Sequence, residues 1–347
     1  MLKRMIIGTA ATVGLSFSVN AQTLLTAETA APTGVPGTTV ISLSEAASKA
    51  GIADMQVTTG QTLTNSVQNV AEGKTDVAAA PFVLPFLMAR GVGPYANLGK
   101  EKGAELTGNL RVLYTYRLAV QAMFAYDSKN FGGWDSVEGS TLFNGPPRGA
   151  ALTNARNLTR LVTGLEEGKG YTGLQVNWGQ AVKTMQDGSS DAMVLPISFP
   201  DGRMIQAVSS GAMTLWSTPK EIFESAAFQK IGNVPGTVTV TMPLSEAVVA
   251  DGVTVVTEDD KFRGPGTVGG EVVHKDMDFE LAKGLTKAFL DNLDSIYKQK
   301  APFMGNTWLG EVDIAVTDMC NGNPLKYHPG AVAAWEEAGY TIPDCAK

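Results

Sequence analysis

Two arginines in apolar surroundings are the residues of this 347-residue chain best suited to chemistry. Arg148 lies in the loop Asn144-Gly145-Pro146-Pro147-Arg148-Gly149, and Arg117 in the run LRVLYTYRLAVQAMFAY from Leu110 to Tyr126. A guanidinium holds a carboxylate through two parallel hydrogen bonds. A loop that feeds a helix adds unpaired backbone N–H groups that attract an anion. Arg148 stands just before such a helix start, so anion binding is its expected chemistry, against the alternative of a solvated loop arginine. Asn144, Gly149 and Ala150 would add polar groups beside it. Arg117, next to Tyr116, is a charge inside an apolar segment and needs a partner; a ligand anion and an internal carboxylate both fit.

The catalytic alternatives find little support. There is no Gly-x-Ser-x-Gly elbow, Walker loop or strong dinucleotide fingerprint. The only histidines are His274 and His328, and the only cysteines Cys320 and Cys345, too few ligands for a metal centre. No cofactor is called for, and the reading is of a binding protein, not an enzyme. Asp76 and Asp191 could form a carboxylate pair, but both stand at the start of a strand and read as turn residues at the edge away from the loops. His328, before Pro329, reads as a turn into the last helix.

The elements that position these residues show a repeat. Val67 to Pro81, VQNVAEGKTDVAAAP, returns 115 residues later as VKTMQDGSSDAMVLP, Val182 to Pro196, without a gap. Each copy reads as the end of an amphipathic helix, a glycine stop and a buried strand ending in proline. Before each copy the pattern is strand, loop, helix, strand, turn, helix, with strands predicted at Leu24–Glu28, Asp54–Thr58 and Asp76–Ala80, and again at Thr141–Asn144, Leu174–Val176 and Asp191–Leu195. That order predicts two lobes, each a mostly parallel sheet flanked by helices. Ligands of such sheets bind beyond the carboxyl ends of the strands. The expected site is therefore a cleft between lobes. Its lobe-one candidates are Thr29, Thr33 and Gly34 in the first loop, and Thr59, Gly60, Gln61 and Asn65 at the second. Pro81 with Phe82, and Pro196 with Ser198 and Phe199, end the repeated strands on the same side. The run Leu110 to Tyr126 reads as two strands with the crossing between lobes near Tyr116 to Gln121. Residues 22–118 with about 235–347 are assigned to lobe one, and about 119–234 to lobe two.

Length fits two domains, and 44% hydrophobic residues suffice for two cores. The formal charge of -7 makes nucleic acid an improbable partner. Lys3 and Arg4, the uncharged run Met5 to Val19 and Val19-Asn20-Ala21 read as a secretory signal peptide, residues 1–21, cut after Ala21. An exported chain with two cysteines is expected to join them as a disulfide. A periplasmic location follows, with the oligomeric state unreadable and a monomer the expectation.

Three segments resemble the TAXI family, the solute-binding receptors of TRAP transporters. They are Gln68 to Pro81, with its Gly-x-x-Asp; Asn109 to Gln121 followed by FNGPPRGAALTNARNL; and Asn323 to Ile342, NPLKYHPGAVAAWEEAGYTI. The first loop lacks the family's Tyr-Tyr-Pro, and GPPRGA stands where the family has a Gly/Ser-rich loop, so the usual amino-acid ligand is not carried over. The resemblance implies a type II-like periplasmic-binding-protein fold with a ligand cleft between lobes. It also implies hinge closure over a small, carboxylate-bearing or amino-acid-like solute and delivery to TRAP permease membrane subunits. An exported sensor subunit, or a periplasmic enzyme on the same scaffold, are the alternatives.

Overall fold

The computed structural model describes residues 22–304, 319–320 and 322–347. The expected signal peptide and a helix expected at Leu309 to Val316 lie outside the described residues.

The first half of the chain forms β1 (Thr23–Glu28), α1 (Val35–Lys49), β2 (Ala53–Thr58), α2 (Leu63–Ala71), β3 (Val77–Pro81), α3 (Val83–Arg90) and α4 (Gly99–Gly108). The long β4 (Leu110–Tyr126) leads into β5 (Thr141–Phe143), α5 (Ala150–Thr163), β6 (Thr172–Leu174), α6 (Ala181–Gln186), β7 (Ala192–Ile197), α7 (Gly202–Val208) and β8 (Met213–Trp216). Two short helices, α8 (Lys220–Glu224) and α9 (Ala226–Gln229), precede β9 (Thr237–Pro243), β10 (Val253–Val256) and β11 (Lys261–His274). The chain closes with α10 (Phe279–Met304) and α11 (Pro329–Glu337).

The repeat is structural. β1 pairs in parallel with β2 and β3, and β5 pairs in parallel with β6 and β7. Asp76 accepts from the Thr26 amide at 2.7 Å, and Asp191 from the Thr141 amide at 2.9 Å. Both partners are themselves 115 residues apart, so one carboxylate staples two strand starts in each half. The two aspartates are scaffold, as their place at a strand start predicts.

β4 and β11 join the halves. The run Leu110 to Tyr126 is one strand, not two: its first part pairs with β11 beside β3, its last part with β7 and β8. Nearly every residue of it is buried, so no exposed residue marks where the strands of the first half hand over to those of the second. The hand-over is marked by a register shift between Thr267 and Val268, opposite Leu118. Extra residues of this kind bend a strand. β11 also carries Gly264, Gly266, Gly269 and Gly270; a Cβ on Gly270 would stand 2.2 Å from the Tyr114 carbonyl oxygen, so the two strands touch backbone to backbone there.

The apolar core divides at the same place. Leu25, Val67, Leu113 and Val272 share one cluster with the α10 residues Leu285 and Phe289; Val120, Leu195 and Phe262 belong to another, and Met123, Leu142 and Phe228 to a third on the opposite face of the sheet's second half. Val240 and Met242 of β9 pack in the second cluster, so the chain returns to the first half along β11 rather than near residue 235. Phe279, placed on the inner face of α10 by its period, is exposed. Cys320 and Cys345 are bonded, tying the tail after α11 back to the body across 25 residues.

Candidate functional site

Helix α1 begins at Val35, because Pro36 in its first turn supplies a helical φ and lacks the N–H that would go unpaired there. Its N-cap is Gly34; that of α5 is Gly149, 115 residues on. The N-cap of α2 is Thr62. None of the three caps makes a side-chain bond, and none of the three helices has an acidic residue in its first turn. Three helix starts thus keep open amides and uncompensated positive ends. Gly37 lets α1 begin so close to the preceding loop: a Cβ there would fall 2.2 Å from the Ala31 carbonyl oxygen.

All three starts open on one cavity between the halves. It is open to solvent at its mouth and lined mostly by apolar side chains. The repeat builds its walls in pairs: Ala31 with Pro146, Gly34 with Gly149, Val35 with Ala150, Pro36 with Ala151, Leu63 with Trp178, and Pro81 with Pro196. Leu118, Ala119 and Thr267, at the register shift between β4 and β11, also line it.

One ion pair lines the cavity. Asp201 caps α7, accepting from the amides of Arg203 and Met204. The Arg203 guanidinium returns along that carboxylate, Nε at 3.1 Å from Oδ1 and Nη2 at 2.7 Å from Oδ2, and donates also to the Pro196 carbonyl. Its carbon lies 5.3 Å from the Trp178 ring centre. These bonds use Nε and Nη2; Nη1 has no protein partner among the described residues. Asn154, one turn into α5, shares the wall.

Of the residues expected at the site, Gly34, Gly149, Ala150, Pro81, Pro196 and Ser198 line this cavity. Arg148 is on the rim and exposed. Its φ is 63°, its carbonyl accepts from Thr64 Oγ1 at 3.2 Å, and its Nη2 lies 3.5 Å from the Pro94 carbonyl oxygen. It bridges the two halves outside the cavity. Arg117 is buried beside a small separate void with Phe199 and Met242. Burial pushes its pKa down to about 10, opposed by the charge of Glu246. Tyr116 and Phe82 are core residues of the first half, and Phe199 packs edge-on against Phe262 at 4.8 Å. Asn144 is buried, donating to Glu167 at 2.6 Å and accepting from Gln175 at 2.8 Å. Thr29 is buried; its backbone pairs with Thr58 and Gln61, and Gly60 donates to Ala30. The Thr59–Gln61 turn therefore braces the first loop from outside. Thr33 and Asn65 are exposed and do not line the cavity.

Sequence reasoning passed over Arg203, Asp201, Trp178, Asn154, Leu118, Ala119 and Thr267. Three of these had a signal. Asp-Gly-Arg after a proline is a helix cap with a basic residue two positions on, and Trp178 is the repeat mate of Leu63.

Among the described residues, no helix is long and apolar enough to cross a membrane, and no group of three or more His, Cys, Asp or Glu could hold a metal ion. The sequence model of the NMT1-like family matches residues 7–339. No curated protein matches the chain. A solved structure from Bordetella bronchiseptica RB50 superposes with a TM-score of 0.55 at 12% identity, covering 92% of this chain and 99% of that one. A periplasmic sulfonate-binding protein, SsuA, from Methylobacillus flagellatus KT gives 0.47 at 12% identity, covering 92% and 96%. A marine-metagenome TRAP solute-binding protein specific for pyroglutamate gives 0.46 at 11%, covering 92% and 91%.

Proposed function

Since the chain belongs to the NMT1-like family, we propose that it is an extracytoplasmic solute-binding receptor that captures a small anionic solute between its two halves. The observation that carries this reading is the convergence of the α1, α2 and α5 starts, from both halves, on one apolar-walled cavity. Open amides and aligned helix dipoles favour negative charge, and a low-dielectric wall strengthens that preference. A solute touching both halves stabilises the conformation in which they meet, bending β4 and β11 at the Leu118–Thr267 shift.

The three TAXI-like segments support the narrower reading of a TRAP receptor of the TAXI type, with membrane permease subunits as its partner. The third of these segments forms α11, capped by His328, whose Nδ1 accepts from the Gly330 amide at 3.1 Å. Arg203 Nη1 and Asn154 are the side-chain donors assigned to the solute, with the three helix starts.

The test is a thermal-shift screen of organic anions on the mature chain, followed by calorimetry and solution scattering of the best one. A receptor shows saturable binding, a raised Tm, a smaller radius of gyration and no chemical change in the recovered solute. Turnover of the solute, or binding confined to cations, would overturn the proposal.

A further inference from the structure

The cavity's only acidic wall residue is already committed. Asp201 Oδ1 accepts from the Arg203 amide at 2.9 Å, from Arg203 Nε at 3.1 Å and from the Met204 amide at 3.4 Å. Its Oδ2 accepts from Arg203 Nη2 at 2.7 Å and the Ser198 amide at 3.3 Å. Every lone-pair direction of this carboxylate faces a donor of the protein. The hydroxyls of Ser198 and Thr64 donate to the carbonyls of Pro200 at 3.0 Å and Arg148 at 3.2 Å, and as neutral oxygens they offer a cation no counter-charge.

An ammonium group carries three donors and no acceptor. Buried without a carboxylate it would lose its hydration uncompensated, and here it would also face three positive helix ends. Most of the remaining wall is carbon, from Leu63, Leu84, Leu118, Ile197 and the Trp178 indole, with Thr62, Thr267 and Asn154 as neutral polar groups and no second carboxylate. Such a wall rewards an apolar body and leaves the hydroxyls of a polyol unpaired.

We infer that the solute is an acid with an apolar, uncharged body, aryl or branched alkyl, and no ammonium group. This rests on the reading of the cleft as an anion receptor's. The acid group sits at the helix starts beside Arg203 and Asn154, and the body lies against Leu118, Ile197 and Trp178.

Matched pairs test it on the mature chain by calorimetry: 3-phenylpropanoate against L-phenylalanine, and 4-methylpentanoate against L-leucine, which differ within each pair only by the ammonium. The apolar acid is expected to bind at least about tenfold more tightly than its amino-acid twin. Asn154→Asp adds a carboxylate to the wall at the start of α5, where the helix dipole tolerates one. In that variant the preference should shrink at least about tenfold, with the circular dichroism unchanged. An amino acid binding as tightly as its twin overturns the inference and leaves the anion-receptor reading standing. The same holds if only hydrophilic anions such as citrate bind. A polyamine or neutral sugar binding in place of every anion overturns the receptor reading itself, and the inference with it.

Discussion

What a guanidinium offers a solute depends on where its donors already point. Arg203 is held flat by Asp201 and the Pro196 carbonyl, and the face left over lines the cavity. Arg148 is exposed on the rim in a left-handed backbone conformation that a non-glycine residue adopts at a cost. Arg148→Ala should therefore leave solute affinity within about threefold, well under the loss of a buried charged contact, whereas Arg203→Met should weaken it at least about tenfold; calorimetry compares the two. The pair also bears on stability. Asp201→Asn leaves a buried arginine without its counter-charge and should cost about 3 kcal/mol in urea denaturation, with the Asp201→Asn/Arg203→Met double variant losing less.

Among the elements, α1 and β11 meet at a buried carboxyl. Glu271 accepts from Thr39 Oγ1 at 2.6 Å, and the Tyr114 and Tyr116 hydroxyls lie against it. Burial dominates and pushes its pKa from the ordinary 4.5 up to about 8. Between those values the folded protein holds a proton that the unfolded chain has released. The contribution is intact below pH 4.5 and is lost as pH rises through about 8. Wild-type stability in urea should decline over that window by on the order of a few kcal/mol. Glu271→Gln, which keeps an acceptor for Thr39, should flatten the decline. The C-terminal element is held covalently. Closing a 25-residue loop removes unfolded-state entropy, so replacing Cys320 and Cys345 by serine should lower stability by about 3 kcal/mol. Thiol labelling of the native protein should find no free cysteine.

Across the whole molecule, the halves meet at the rim through a Thr64 hydroxyl donating to the Arg148 carbonyl. A bond made only when they touch favours the touching state. Thr64→Val should open the free protein, seen as a larger radius of gyration in scattering, and weaken solute binding about two- to tenfold, the worth of one ordinary hydrogen bond. Unchanged values for both would mean that this bond does not hold the halves together.

The sequence by itself determined the architecture. Local signals suffice for that: a glycine stop, a buried strand ending in proline and a stapling aspartate each depend on neighbours close along the chain, and their return after 115 residues implied two similar halves. It also put Gly34, Gly149, Pro81 and Pro196 on the side of the sheet where the cavity lies, because a helix start and a strand end point the same way in any such sheet. What it could not rank was the side chains. Whether Arg148 or Arg203 faces the solute depends on a left-handed turn and on a carboxylate two residues away in α7, and both are settled by packing against other elements. Thr39 and Glu271, 232 residues apart, share one buried bond, and Leu118 and Thr267 come together only where two strands pair out of register. Contacts between residues so distant leave no periodicity or spacing behind, and only the tertiary structure decides them.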